Sequence, residues 1–120
     1  MSAHLPVVHR TTAKAVADAM GVRCEPWMQD WPLEVADSGR IEEFLAHYEK
    51  EERPEHRLAI AVLITASLDE AFSLAPPQKA LLDRVGPGLK AYPQVVEYWS
   101  CPDANTDEQL FAITPWIRGL

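Results

Sequence analysis

Two adjacent carboxylates, Asp69 and Glu70, stand near the end of the longest apolar stretch in the sequence. Lining a cleft, such a pair would do general acid–base work. Neighbours on a helix point about 100° apart, so these two would not share one proton. The competing expectation is that Asp69 bonds a tryptophan indole N–H or pairs with Arg118. The histidines His4, His9, His47 and His56 show neither HxxxH nor HExxH spacing, and Cys24 and Cys101 are too far apart in sequence for a zinc knuckle. Glu43 and His47, four residues apart on a helix, would supply only two ligands, so no metal site is expected. Ser67 and Ser73 have no GxSxG elbow or glycine-rich oxyanion loop nearby. Each cysteine lies close to a carboxylate, Glu25 or Asp103, which raises a thiol pKa rather than activating the sulfur. The five glycines are scattered, with no phosphate-binding loop. Neither catalytic residues nor a cofactor are expected, and the chain reads as a non-enzyme.

Charge is the feature that remains. The net charge of the 120 residues is −7, and it is unevenly spread. Residues 1–32 hold three basic and three acidic groups, and residues 58–92 also balance at three each. Residues 33–57 hold four basic against eight acidic groups, and residues 93–120 one against four. The acidic side chains concentrate as Glu42, Glu43, Glu49 and Glu52 in one segment and as Asp103, Asp107 and Glu108 in the other. Such a surface disfavours nucleic acid and anionic membrane, and steers a basic protein partner. No segment is apolar enough to span a bilayer, and MSAHLPVVHRTT has no charged leader followed by an apolar run, so a cytoplasmic protein without signal peptide is expected. Two thiols in a reducing compartment are the plainer reading of the cysteines, beside a disulfide.

The elements that must position these groups are mostly helical. Thr11 or Thr12 is expected to cap a helix over TAKAVADAM, stopped by Gly21. Pro26 and Pro32 interrupt the next segment, where Asp30 would cap a single turn and Trp27 and Trp31 would cover the core. Asp37 or Ser38 would start a helix with Ile41, Phe44, Leu45 and Tyr48 on its apolar face. From about Pro54 to Ala75 runs the central helix, apolar around its whole circumference as far as Ile64, with Thr65, Asp69, Glu70 and Ser73 on a wet face beyond. QKALLDRV would form a helix ended by Gly86. QVVEYWS and QLFAIT, rich in β-branched and aromatic residues, predict a β-hairpin over about 94–100 and 109–114, with Asp103, Asp107 and Glu108 on its turn. The expected fold is thus mainly α, a single-domain helical bundle around the buried central helix with a small C-terminal hairpin. TTAKAVADAMGVR also has the alanine and glycine spacing that opens a helix-turn-helix. The recognition helix would be RCEPWMQDWPL, however, with two prolines and no basic cluster.

An arginine leading an apolar helix that ends in SLDEA (Arg57 to Ala71), then Tyr98-Trp99-Ser100, an acidic turn, and FAITP with Arg118, resembles small bacterial immunity proteins of polymorphic-toxin and contact-dependent inhibition loci. The resemblance covers residues 57–118 and implies a role without implying catalytic residues. It implies a stoichiometric inhibitor of a basic toxin or nuclease domain. The charge distribution, not the resemblance, supplies the candidate contacts: Glu42, Glu43, Glu49, Glu52, Asp69, Glu70, Asp103, Asp107 and Glu108, with Trp27, Trp31, Trp99 or Trp116 as a hot spot where exposed. The alternatives are a non-enzymatic structural or regulatory interaction protein, with a homodimer as one form of it, a helix-turn-helix DNA-binding protein and a small enzyme.

Overall fold

A computed structural model describes residues 5–120, so His4 lies outside it. The chain divides within one helix into two compact units, Val7–Leu68 and a second that includes Asp69–Leu120.

In the first unit, α1 (Arg10–Met20) begins after His9, whose carbonyl accepts the Ala13 N–H at 2.9 Å. Neither threonine caps it, and Thr12 is instead buried in its first turn. Gly21 stops α1 as expected. Its φ is 67°, and the N–H of Val22 reaches back to the Ala17 carbonyl at 2.9 Å. A closed turn from Glu25 to Met28 follows, then α2 (Trp31–Glu34), with Pro32 in its first turn. Trp31 is buried and its indole N–H donates to the Arg23 carbonyl at 2.7 Å. Trp27 does not cover the core; it is 68% exposed. α3 (Ile41–Lys50) buries Ile41, Phe44, Leu45 and Tyr48, the expected stripe, but starts after Arg40. Asp37 is used in the turn before it, its carboxylate accepting the Gly39 N–H at 2.9 Å.

α4 (Pro54–Leu74) is the central helix, and every residue from Ala59 to Leu68 is buried. The sequence shows why: no polar side chain breaks the run from Leu58 to Ile64, so no water-facing stripe exists. Its buried part extends further than expected. Thr65 is fully buried, its hydroxyl donating to the Val62 carbonyl three residues back at 2.8 Å. Ser67 is also buried and accepts the Asp37 N–H at 3.0 Å. Short hydroxyls that bond backbone can be buried at little cost. Glu70 and Ser73 are exposed.

The second unit corrects the expected architecture most. Gly86 does not end α5, which runs from Lys79 to Leu89 through Gly86-Pro87-Gly88. A proline inside a helix removes one bond and crowds the carbonyl four residues back. Burial of Val85, Gly86 and Leu89 offsets that cost, and a Cβ on Gly86 would lie only 3.1 Å from Leu120. No β-hairpin exists among the described residues. QVVEYWS is part of α6 (Pro93–Ser100), and QLFAIT runs from the end of a 3-10 turn (Asp107–Gln109), through an extended Leu110, to the first residue of α7 (Thr114–Arg118). Pro93 and Pro115 each sit in a first helical turn, where the missing N–H costs nothing. Val95 and Trp99, four apart, are the buried residues of α6. Strand propensity is easily overridden by such packing, so all regular structure in the described residues is helical. Trp99, 1% exposed, packs edge-on against Tyr98 and Phe111 at 5.1 and 4.8 Å. Its buried indole N–H has no hydrogen-bond partner.

Candidate protein-binding surfaces

In the first unit the acidic residues are carried by α3 and its exit. Ile41, Phe44, Leu45 and Tyr48 turn one side of α3 inwards, which leaves Glu42, Glu43 and Glu49 exposed on it, with Glu52 exposed just beyond. Glu43 is engaged with Arg40, which reaches both carboxylate oxygens at 2.7 and 2.9 Å. That bond is the main reason its carboxyl titrates below the usual range and the Arg40 guanidinium above its own. Arg40 also donates to the carbonyls of Met20 and Gly21, closing the C-terminus of α1. Glu51 is held below the usual carboxylate range chiefly by its hydrogen bond from Arg53, at 2.6 Å. Arg57 lies 4.3 Å from the centre of the Tyr48 ring and donates to the Glu51 carbonyl at 2.8 Å, closing α3.

A different feature of the same unit is the Glu25–Met28 turn. Pro26 and Trp27 occupy its two central positions, and the Met28 N–H closes it on the Glu25 carbonyl at 3.1 Å. The tryptophan is therefore exposed on a short, closed turn rather than on a loose loop. Of the four tryptophans it alone is strongly exposed: Trp31 and Trp99 are buried and Trp116 is half-buried against Phe72.

In the second unit Asp69 and Glu70 separate. Glu70 is exposed, whereas Asp69 is half-buried and accepts the Ile113 N–H at 3.1 Å. Ile113 precedes the first residue of α7, so the Asp69 carboxylate satisfies a donor at that helix start. Neither expected partner, a tryptophan indole nor Arg118, makes this bond. Arg118 instead donates to the carbonyls of Ser100 and Cys101 at 2.8 and 3.1 Å and closes α6.

Asp103, Asp107 and Glu108 are all exposed, on a helix-to-helix connection rather than a hairpin turn. Beside them lies an open groove of about 320 Å³ lined by Tyr98, Cys101, Pro102, Asp103, Ala104, Gln109 and Phe111. Cys101 forms its corner with φ 52°, a left-handed conformation that closes α6 on the Tyr98 carbonyl. Thr114 braces the far side. Its hydroxyl donates to the Trp99 carbonyl at 2.8 Å, accepts the Phe111 N–H at 3.0 Å, and lies 3.5 Å from the Cys101 sulfur. Tyr98 and Phe111 went unnoticed as site residues because each fell in a supposed strand. Read as helix, Tyr98 belongs to the last turn of α6, where a side chain can meet the returning chain.

Both cysteines are free and half-buried, and no group of three or more metal-ligating side chains occurs among the described residues. No helix among them is long and apolar enough to cross a membrane. The segment after α1 holds only the four-residue α2, too short for a recognition helix. Comparison with protein-family models, curated proteins and solved structures yields no match for the chain.

Proposed function

We propose that the chain is a small acidic binding protein, an immunity-type inhibitor that neutralises a basic toxin or nuclease domain by stoichiometric binding. The observation that carries this reading is the exposure of eight of the nine carboxylates expected to bind: Glu42, Glu43, Glu49 and Glu52 around α3, Glu70, and Asp103, Asp107 and Glu108 before α7. Asp69 is the one of the nine that is half-buried, its carboxylate accepting the Ile113 N–H. Acidic groups so placed steer a basic partner and occupy a surface that would otherwise hold phosphate. Three of the seven arginines, Arg40, Arg57 and Arg118, are bonded to helix-end carbonyls, and of these Arg40 also pairs with Glu43. Trp27, exposed on its closed turn, is the tryptophan that best suits a hot spot, since a preorganised aromatic loses little entropy on binding.

The test is rescue of growth. A basic toxin domain is sought in the reading frames that flank this one and expressed with and without the chain. Protection that is lost in a Glu42→Lys, Glu49→Lys double variant, and partly lost in Trp27→Ala, is the expected outcome. Protection unaffected by both changes, or no protection by the unaltered chain, refutes the proposal. The exposed Trp27 also favours a second reading, a homodimeric interaction protein. A sedimentation mass twice that of the monomer, reduced to the monomer by Trp27→Ala, would support it.

A further inference from the structure

We infer that the groove between the end of α6 and the chain entering α7 takes the guanidinium of an arginine presented by the basic partner. The inference rests on the reading of the chain as an acidic binding protein and gives that partner one definite point of attachment.

Size sets the first limit. At about 320 Å³ the groove falls at the lower end of the roughly 300–1,000 Å³ of small-molecule sites. It suits a single long side chain better than a cofactor. Chemistry sets the second. Tyr98 and Phe111 line it with their ring centres 5.5 Å apart and planes tilted by 30°, and both rings pack on the buried Trp99. Aromatic faces attract cations, and a guanidinium can stack on them as an ammonium cannot. Asp103 supplies a carboxylate in the lining, where a planar fork can be received in bidentate fashion.

The field has the same sign. Asp107 and Glu108 stand four and five residues beyond Asp103, and Arg118 is the only basic residue from 93 to 120. Arg118 does not line the groove, because its guanidinium is bonded to the Ser100 and Cys101 carbonyls. An anionic ligand would meet the Asp103 carboxylate in the lining, and a purely apolar one would leave that carboxylate without a partner. The walls are also fixed before any ligand arrives. The Gln109 side-chain oxygen accepts the Asn105 N–H at 2.6 Å, and Thr114 ties Phe111 to the end of α6. Little ordering is left to be done on binding.

The probe is N-acetyl-arginine amide, titrated into the full chain and followed by amide chemical shifts, with N-acetyl-norleucine amide as the neutral control. Saturable shifts confined to the neighbourhood of Tyr98, Cys101, Asp103, Ala104, Gln109 and Phe111 are expected with the arginine derivative alone. Asp103→Asn, an exposed change that leaves the fold intact, should weaken binding about tenfold, as loss of one charged partner implies. Phe111→Leu keeps an apolar side chain and removes the π face, and should weaken it while the spectrum stays folded. Equal response to the neutral derivative, shifts elsewhere, no response, or unchanged binding in Asp103→Asn each overturns the inference. The two readings fail separately. A chain that protects cells but ignores arginine uses another surface, and a chain that binds arginine but protects no cell is no inhibitor.

Discussion

At the scale of single residues, Trp99 is the side chain whose burial is least comfortable. Its rings fill the space between Tyr98 and Phe111, yet its N–H is shut away without an acceptor. Leaving a buried donor unpaired costs about 1–3 kcal/mol. Trp99→Phe removes that penalty along with some packing, so it should destabilise by less than about 1.5 kcal/mol. Trp99→Ala should cost the full roughly 3–5 kcal/mol of a large-to-small core change. Urea midpoints of the two variants would separate these terms. Leu63 presents the simpler case: fully buried in α4 with no polar duty, its truncation to alanine should cost about 2–5 kcal/mol by the same measurement. Gly21, at φ 67°, should lose about 1 kcal/mol on replacement by alanine, because a Cβ is disfavoured in the left-handed region.

At the scale of elements, arginines close helix ends, beside Gly21 at α1 and without a glycine at α3 and α6. Arg40 closes α1, Arg57 closes α3 and Arg118 closes α6, where positive charge also meets the favourable end of the helix dipole. Arg118→Met should therefore cost about 1–3 kcal/mol, the range for hydrogen bonds from charged groups, and should loosen exchange protection first at the end of α6. Arg40 brings a pH dependence as well. Glu43 and Glu51 both titrate lower in the folded chain than when unfolded, each mainly through an arginine hydrogen bond. Their contribution is complete above the ordinary carboxylate range and fades as pH falls through and below it. Acid titration should show this loss, and Glu43→Gln should flatten the curve; an unchanged curve would mean the bond does nothing in solution. These elements also show what could be read in advance. The α3 stripe and the buried run of α4 were legible because their apolar spacing is unambiguous. The stop at Gly21 was legible because α1 ends there on a glycine. Val95, Val96, Tyr98 and Trp99 misled because their strand propensity is real, whereas Pro93 and the four-residue spacing of Val95 and Trp99 decide for helix. α5 runs past its expected end because burial of Val85, Gly86 and Leu89 carries it through a Gly-Pro-Gly that normally ends a helix. Arginine-to-carbonyl closures, and the groove they help to shape, join residues 6–20 apart and leave no local pattern.

At the scale of the whole molecule, charge is the property that acts over distance. If the exposed carboxylates steer a basic partner, the association rate should fall steeply as salt rises while the dissociation rate changes little. Stopped-flow mixing with the proposed basic partner would measure both, and an association rate indifferent to salt would dismiss steering. The same carboxylates are numerous enough that no single substitution should abolish the effect, in contrast to Asp103→Asn at the groove. The arginine closures carry a further consequence for chemistry done on the intact protein. The four lysines, Lys14, Lys50, Lys79 and Lys90, are a separate population, and the pairs Lys14–Asp18 and Lys79–Asp83 are exposed and worth little. Succinylating all the lysines would thus deepen the negative charge and leave every helix end closed. A dicarbonyl reagent that attacks guanidinium would unlatch three helices at once, so two modifications with nearly equal effect on net charge should have opposite effects on folding.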